Sequence, residues 1–205
     1  MKKAIVLFAG LILSISAAHA NPYYYGPQSI YPSYPNYLQE TPATLLKNGV
    51  ERLQVFIRQK GVNDPEILTA FLNEQIAPYF DFERMAQMVG GRYYFQLDKT
   101  NQTIFKAKLQ KLFFSALGRN LGAYTNPMPR IDFLPARTRG QNKLDVPARV
   151  ISANSQPVRL VFRFHRSDSG WKIYDASSNG MSAVLYYRKY LLEQVRRYGP
   201  QALIN

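Results

Sequence analysis

Near residue 129 the hydrophobic period of this chain changes from helical to alternating, and that switch constrains the fold more than any other feature of the sequence. Upstream, apolar residues return every three or four positions; downstream they return every second position. A run of helices, then an antiparallel meander, then one closing helix is the element order of an α+β fold.

The helical half divides at readable punctuation. Leu46, Val50, Leu53 and Ile57 form one stripe, with Lys47, Glu51 and Arg58 off it. Asn63-Asp64-Pro65-Glu66 predicts a helix start, with Asp64 as cap and Pro65 in the first turn. Ile67, Leu68, Phe71, Leu72 and Ile76 are expected on its buried face, and Pro78 ends it. Asp81 caps a short helix carrying Phe82, Met85, Met88 and Val89, closed by Gly90-Gly91. Thr100 opens a longer helix with Ile104, Phe105, Leu109, Leu112, Phe113, Ala116 and Leu117 inward and Lys106, Lys108 and Lys111 outward.

In the second half, Val158, Leu160, Phe162 and Phe164 alternate with Arg159, Val161, Arg163 and His165, which predicts a strand with one buried face. Val146, Ala148 and Val150 alternate in the same way, as do Trp171 and Ile173 against Lys172 and Tyr174. Ile131–Ala136 reads as a weaker fourth strand. Turn residues at 154–157 and 167–170 separate the strands. Ser182 caps the closing helix, with Val184, Leu185, Leu191, Leu192 and Val195 inward and Gly199-Pro200 at its end.

The first twenty residues have the form of a secretory signal peptide: Lys2 and Lys3, an apolar stretch from Ala4, and Ala18-His19-Ala20 as a cleavage site. Cleavage after Ala20 predicts an exported protein of 185 residues with a net charge of +11. Residues 21–41 hold six tyrosines and four prolines, which predicts a disordered, partly polyproline-like tail. Residues 42–205 are then a single domain.

Composition narrows the chemistry. With no cysteine there is no disulfide, thiol nucleophile, thiolate metal site or lipoprotein anchor. The expected mature chain keeps one histidine, His165, which excludes multi-histidine zinc sites. Flanked by arginines on the polar face of its strand, His165 reads as solvent-exposed. Asp81 and Glu83 read as a helix cap and a first-turn acid rather than a catalytic pair. No nucleotide-binding, hydrolase or metalloprotease motif occurs, so the sequence presents no catalytic constellation.

Residues 119–172 carry ten basic side chains against three acids. Such a basic region suits single-stranded nucleic acid, anionic head groups, or plain solubility. Its apolar counterpart is a set of twelve phenylalanines, many on inward faces. Periodicity alone fits a closed core or an apolar cavity between the layers.

Three segments carry a resemblance. Tyr79-Phe80-Asp81-Phe82-Glu83-Arg84-Met85-Ala86 with Val89–Tyr94, the stretch Phe105–Leu121 with Tyr124, and Gly170-Trp171-Lys172-Ile173-Tyr174-Asp175 with Gly180-Met181-Ser182 and Tyr187-Arg188 resemble the blocks of the MlaC family of periplasmic phospholipid-binding proteins. The match runs from about Leu45 to Tyr198 and departs at Asn179, where an acid is usual, and at Met181, where valine is. The resemblance implies a helical layer on a twisted four-stranded antiparallel sheet, with an apolar cavity between them. It implies no catalysis and no cofactor, only bound phospholipid as cargo. The partners it implies are an outer-membrane lipoprotein–porin complex and an inner-membrane ABC transporter complex with its substrate-binding ring, with no nucleic acid. On that basis Phe82, Met85, Val89, Phe113, Leu117, Val150, Leu160, Phe162, Trp171, Ile173, Met181, Val184 and Tyr187 are the expected lipid-binding wall. A periplasmic nucleic-acid-binding or adhesive module, using the basic sheet and the tyrosine-rich tail, is the alternative reading.

Overall fold

The computed structural model describes residues 41–61, 64–121, 129–152 and 156–204. The expected signal peptide and nearly all of the tyrosine- and proline-rich segment, together with Tyr124, lie outside the described residues. Helix α1 (Pro42–Lys60) starts where Thr41 Oγ1 accepts the Thr44 amide, and it buries Leu46, Val50 and Leu53. Helix α2 (Pro65–Phe71) is capped by Asp64, whose carboxylate accepts the Glu66 and Ile67 amides. It continues through a wide π turn over Leu72–Ile76 and a 3-10 turn over Ala77–Tyr79. The wide turn keeps Leu68, Leu72 and Ile76, each four residues apart, on one buried side. Ile67 falls a step around the axis and is exposed, contrary to the pattern-based expectation.

Helix α3 (Phe82–Gly90) is capped by Asp81 as expected, the Arg84 amide donating to its carboxylate at 2.8 Å. A 3-10 segment (Gly91–Gln96) leads to α4 (Lys99–Leu121), where the Asn101 amide donates to Asp98. Phe105, Leu109 and Phe113 keep an i, i+4 spacing and are buried, while Ile104 flanks that stripe and is exposed. Lys108 is not wholly outward: its ammonium donates to the Ala202 carbonyl at 3.1 Å, and burial pushes its pKa down.

The sheet holds β1 (Arg130–Phe133), β2 (Arg137–Thr138), β3 (Lys143–Ile151), β4 (Val158–Ser167), β5 (Gly170–Ser178) and β6 (Met181–Ser182). All pairs are antiparallel, in the order β1-β3-β4-β5-β6, with β2 also on β3. The fold class is α+β, with six strands where four were expected. The strand expected over Ile131–Ala136 ends early as β1, β2 follows beyond it, and the Asn179-Gly180 turn returns the chain into β6. Both turn residues have positive φ, 47° and 86°, the backbone that a two-residue hairpin needs.

Helix α5 (Ala183–Tyr198) begins at the expected Ser182 cap and buries Val184, Leu191 and Val195. Leu185, expected inward, is 65% exposed. A last 3-10 turn (Pro200–Leu203) puts Leu203 under α3 and α4.

Two apolar clusters result. One is helical, built from Leu53 of α1 and from α2, α3, α4 and α5 around Met85, Val89, Phe105 and Leu109. The other joins one sheet face, including Val146, Ala148, Leu160 and Phe162, to Leu46 of α1. Phe80 packs against both clusters.

Candidate functional site

The seam between the two clusters contains a cavity of about 80 Å³. One wall is α1, through Leu45, Leu46, Gly49, Val50 and Leu53. The opposite wall is the sheet, through Leu160 and Phe162 of β4 and Ile173, Ala176 and Ser177 of β5. Ile76, Tyr79 and Phe80 close one side, and Phe113 and Leu117 of α4 another. Among the described residues of the wall, Tyr79 and Ser177 alone are of polar type.

The position of Phe80 follows from the segment that carries it. Phe80 forms a parallel bridge with Ile173, and the Asp81 amide donates to the Ile173 carbonyl at 2.8 Å. The Lys172 ammonium reaches the Pro78 carbonyl at 2.7 Å. The chain from Pro78 to Asp81 is therefore tied along β5. From there Phe80 meets Phe82 and Phe113 at centroid distances of 5.5 and 5.2 Å, stacked and edge-on.

His165 completes this clamp. It is 8% exposed, which corrects the expectation of a solvent-facing histidine. Its Nε2 donates to Asp81 Oδ2 at 2.7 Å, with the Tyr174 ring edge-on at 5.7 Å. The Arg84 guanidinium lies over the Tyr174 ring, 5.2 Å from its centroid. Alternation along β4 holds, with Lys143 opposite His165, but the face expected to meet solvent is covered there by Asp81 and Tyr174. Tyr174 is the extra residue of a bulge in β5, where Arg163 pairs with Asp175 and Phe164 with Ile173. Beside it, the buried Asp175 carboxylate accepts from Arg163, from Ser182 Oγ at 2.7 Å and from the Val184 amide at 3.1 Å, fixing the start of α5.

The thirteen candidate wall residues separate into groups. Phe113, Leu117, Leu160, Phe162 and Ile173 line the cavity. Val150 is buried in the sheet cluster, and Trp171 packs half-buried on it. Phe82, Met85, Val89 and Val184 belong to the helical cluster, with Tyr187 packed against it. The Tyr187 hydroxyl donates to the Leu112 carbonyl at 3.2 Å, and burial raises its pKa to about 12. Met181 is 46% exposed on the edge strand β6, so the inward position expected for it does not hold. Sequence reasoning missed the α1 wall and the Ile76–Phe80 side. The Leu46, Val50, Leu53 stripe marks a buried helix face but cannot show what that face packs against. Among the described residues no group of three or more potential ligands is arranged to hold a metal ion.

Comparison with known proteins matches this architecture. A Haemophilus influenzae protein named intermembrane phospholipid transport system binding protein MlaC is 24% identical over 181 residues, spanning 86% of this chain and 76% of its own. A phospholipid-binding protein from Ralstonia solanacearum, solved in complex with a phospholipid, superposes with a TM-score of 0.69 at 21% identity. That superposition covers 79% of this chain and 92% of the other, and it establishes a shared fold. The family model described as MlaC protein matches residues 49–205, and on that match the chain belongs to the MlaC family.

Proposed function

We propose that this protein is a phospholipid carrier that takes the acyl chains of its cargo into the cavity between α1 and the sheet, in the periplasm, as part of intermembrane lipid transport. The observation that carries this reading is the apolar seam itself, walled by leucine, valine, isoleucine, phenylalanine and alanine from α1, α4, β4 and β5. The printed names of the Haemophilus and Ralstonia relatives support it. A two-chain lipid has on the order of 30 methylenes, each worth about 0.8 kcal/mol on burial, so it does not cross water uncovered. A carrier needs a dry wall rather than reactive groups.

Capacity requires movement. An apolar cavity of about 150 Å³ takes up benzene, so about 80 Å³ is far too small for two acyl chains. The seam must open, and the end of α1 that carries Ala43 and Leu46 is positioned to part from the sheet cluster, while Leu53 holds the other end in the helical cluster. Phe113, Leu117, Leu160, Phe162 and Ile173 are the expected acyl contacts, and Leu46, Val50 and Phe80 join them. Transfer partners in the two membranes and residues 42–205 as one lipid-binding domain belong to the same proposal. Denaturing extraction of the purified protein, followed by lipid mass spectrometry, tests it: stoichiometric phospholipid is expected, and a protein that stays empty after incubation with phospholipid vesicles refutes it.

A further inference from the structure

Next to the cavity, on the same sheet face, lies a buried polar group that the apolar wall does not explain. Ser178 is 2% exposed, and its hydroxyl has no hydrogen-bond partner among the described residues. It stands directly opposite Leu160, a wall residue, so both side chains belong to the sheet face that borders the cavity. Ser177, one position earlier, pairs with Val161 and Ser182, and strand alternation turns its hydroxyl to the other face. Ser178 is therefore a buried donor on the cavity's sheet face, beside the wall residue Leu160. A buried hydroxyl without an acceptor is unfavourable, and most such groups are paired.

The surface begins one residue further on. Asn179, Gly180 and Met181 are exposed, and Asn179 is bonded to the backbone of Arg159, also exposed. From this end, the wall runs along β4 from Leu160 through Phe162 toward Ile173, Phe80 and Phe113. The Leu160 and Phe164 rows lie about 13 Å apart on the sheet.

We infer that Ser178 is the polar anchor for the cargo, its hydroxyl donating to an acyl-ester carbonyl of a glycerophospholipid whose chains run inward from the β5–β6 turn. The inference rests on the carrier reading and adds an orientation to it. When acyl chains are buried, the ester carbonyls at their roots are the first polar atoms drawn out of water. They accept and cannot donate, and they are neutral, which suits a neutral hydroxyl in a wall that carries no cation. The charged head then lies at the turn, in water.

Diester and diether lipids separate this inference from the reading beneath it. The purified protein and its Ser178→Ala variant are titrated with dipalmitoyl phosphatidylglycerol and with its dihexadecyl ether analogue, which lacks both carbonyls, and binding is read by native mass spectrometry. The protein is expected to favour the diester by roughly three- to tenfold, Ser178→Ala to erase that preference, and Ser178→Thr to retain it. Because the hydroxyl has no partner among the described residues, Ser178→Ala should melt no lower than the parent. Equal binding of the two lipids by the parent, a preference that survives Ser178→Ala, or a lower melting temperature each overturns the anchor while leaving the carrier reading intact. Failure of the parent to bind either lipid overturns both.

Discussion

Asp81 serves two structures at once. One carboxylate oxygen caps α3 and the other accepts from His165, so a single side chain joins the helical cluster to the sheet beside the cavity. Truncating it loses a cap and leaves a buried imidazole unpaired. Asp81→Ala is expected to cost about 2–3 kcal/mol and His165→Ala about 1–2 kcal/mol, less because the cap survives; urea unfolding of both variants measures the order, and a reversed order refutes the clamp. Tyr94 gives a pH prediction. Its buried hydroxyl donates to Glu83, and burial, with the carboxylate beside it, raises its pKa from 10.0 to about 12. Burial alone would raise the Glu83 carboxyl too, but the bonds from Tyr94 and Lys106 and the Lys106 charge outweigh it and hold that carboxyl low. A raised folded pKa stabilises below the unfolded value and is lost as pH climbs through the folded one. Stability should therefore fall between pH 10 and about 12, and Tyr94→Phe should flatten part of that fall in alkaline denaturation curves.

At the scale of elements, close approach and irregularity decide the geometry. A Cβ on Gly90 would lie 2.9 Å from Tyr94 Cβ and 3.1 Å from Phe105 Cε1, and neither atom can swing away without moving backbone or core. Gly90→Ala is therefore expected to destabilise by about 1–3 kcal/mol despite the better helix propensity of alanine, measured as a lowered denaturation midpoint. Gly118→Ala meets only the mobile end of Leu68, at 3.2 Å, and should be tolerated far better in the same assay. The bulge at Tyr174 has a comparable influence on the sheet. It leaves Phe164 and Ile173 paired in the sheet cluster while the extra residue, Tyr174, packs edge-on against His165.

For the whole molecule, the proposed cavity predicts a variant that fills the seam without unfolding it. Ala176 is buried opposite Phe162 and lines the cavity, so the extra volume of Ala176→Phe enters the space that acyl chains would use. Circular dichroism is expected to show a retained fold, and lipid extraction to recover several-fold less phospholipid. Undiminished lipid would place the cargo elsewhere. Most of the architecture was legible in the sequence, because caps and periodicity act locally. The Asp64, Asp81 and Ser182 caps, the switch to alternation near residue 129 and the α+β order are written in neighbouring residues. So are the motif blocks that mark the family. Periodicity also identified Phe113, Leu117, Leu160, Phe162 and Ile173 as inward-facing. What a face turns toward is a different kind of fact. Only the tertiary structure set α1 against the sheet, moved Phe82, Met85 and Val89 into the helical cluster, left Met181 in solvent and buried His165 against Asp81. Burial of a side chain is encoded by its own helix or strand, whereas the gap between two packed layers is set by residues more than a hundred positions apart in the chain, and no local period can carry that information.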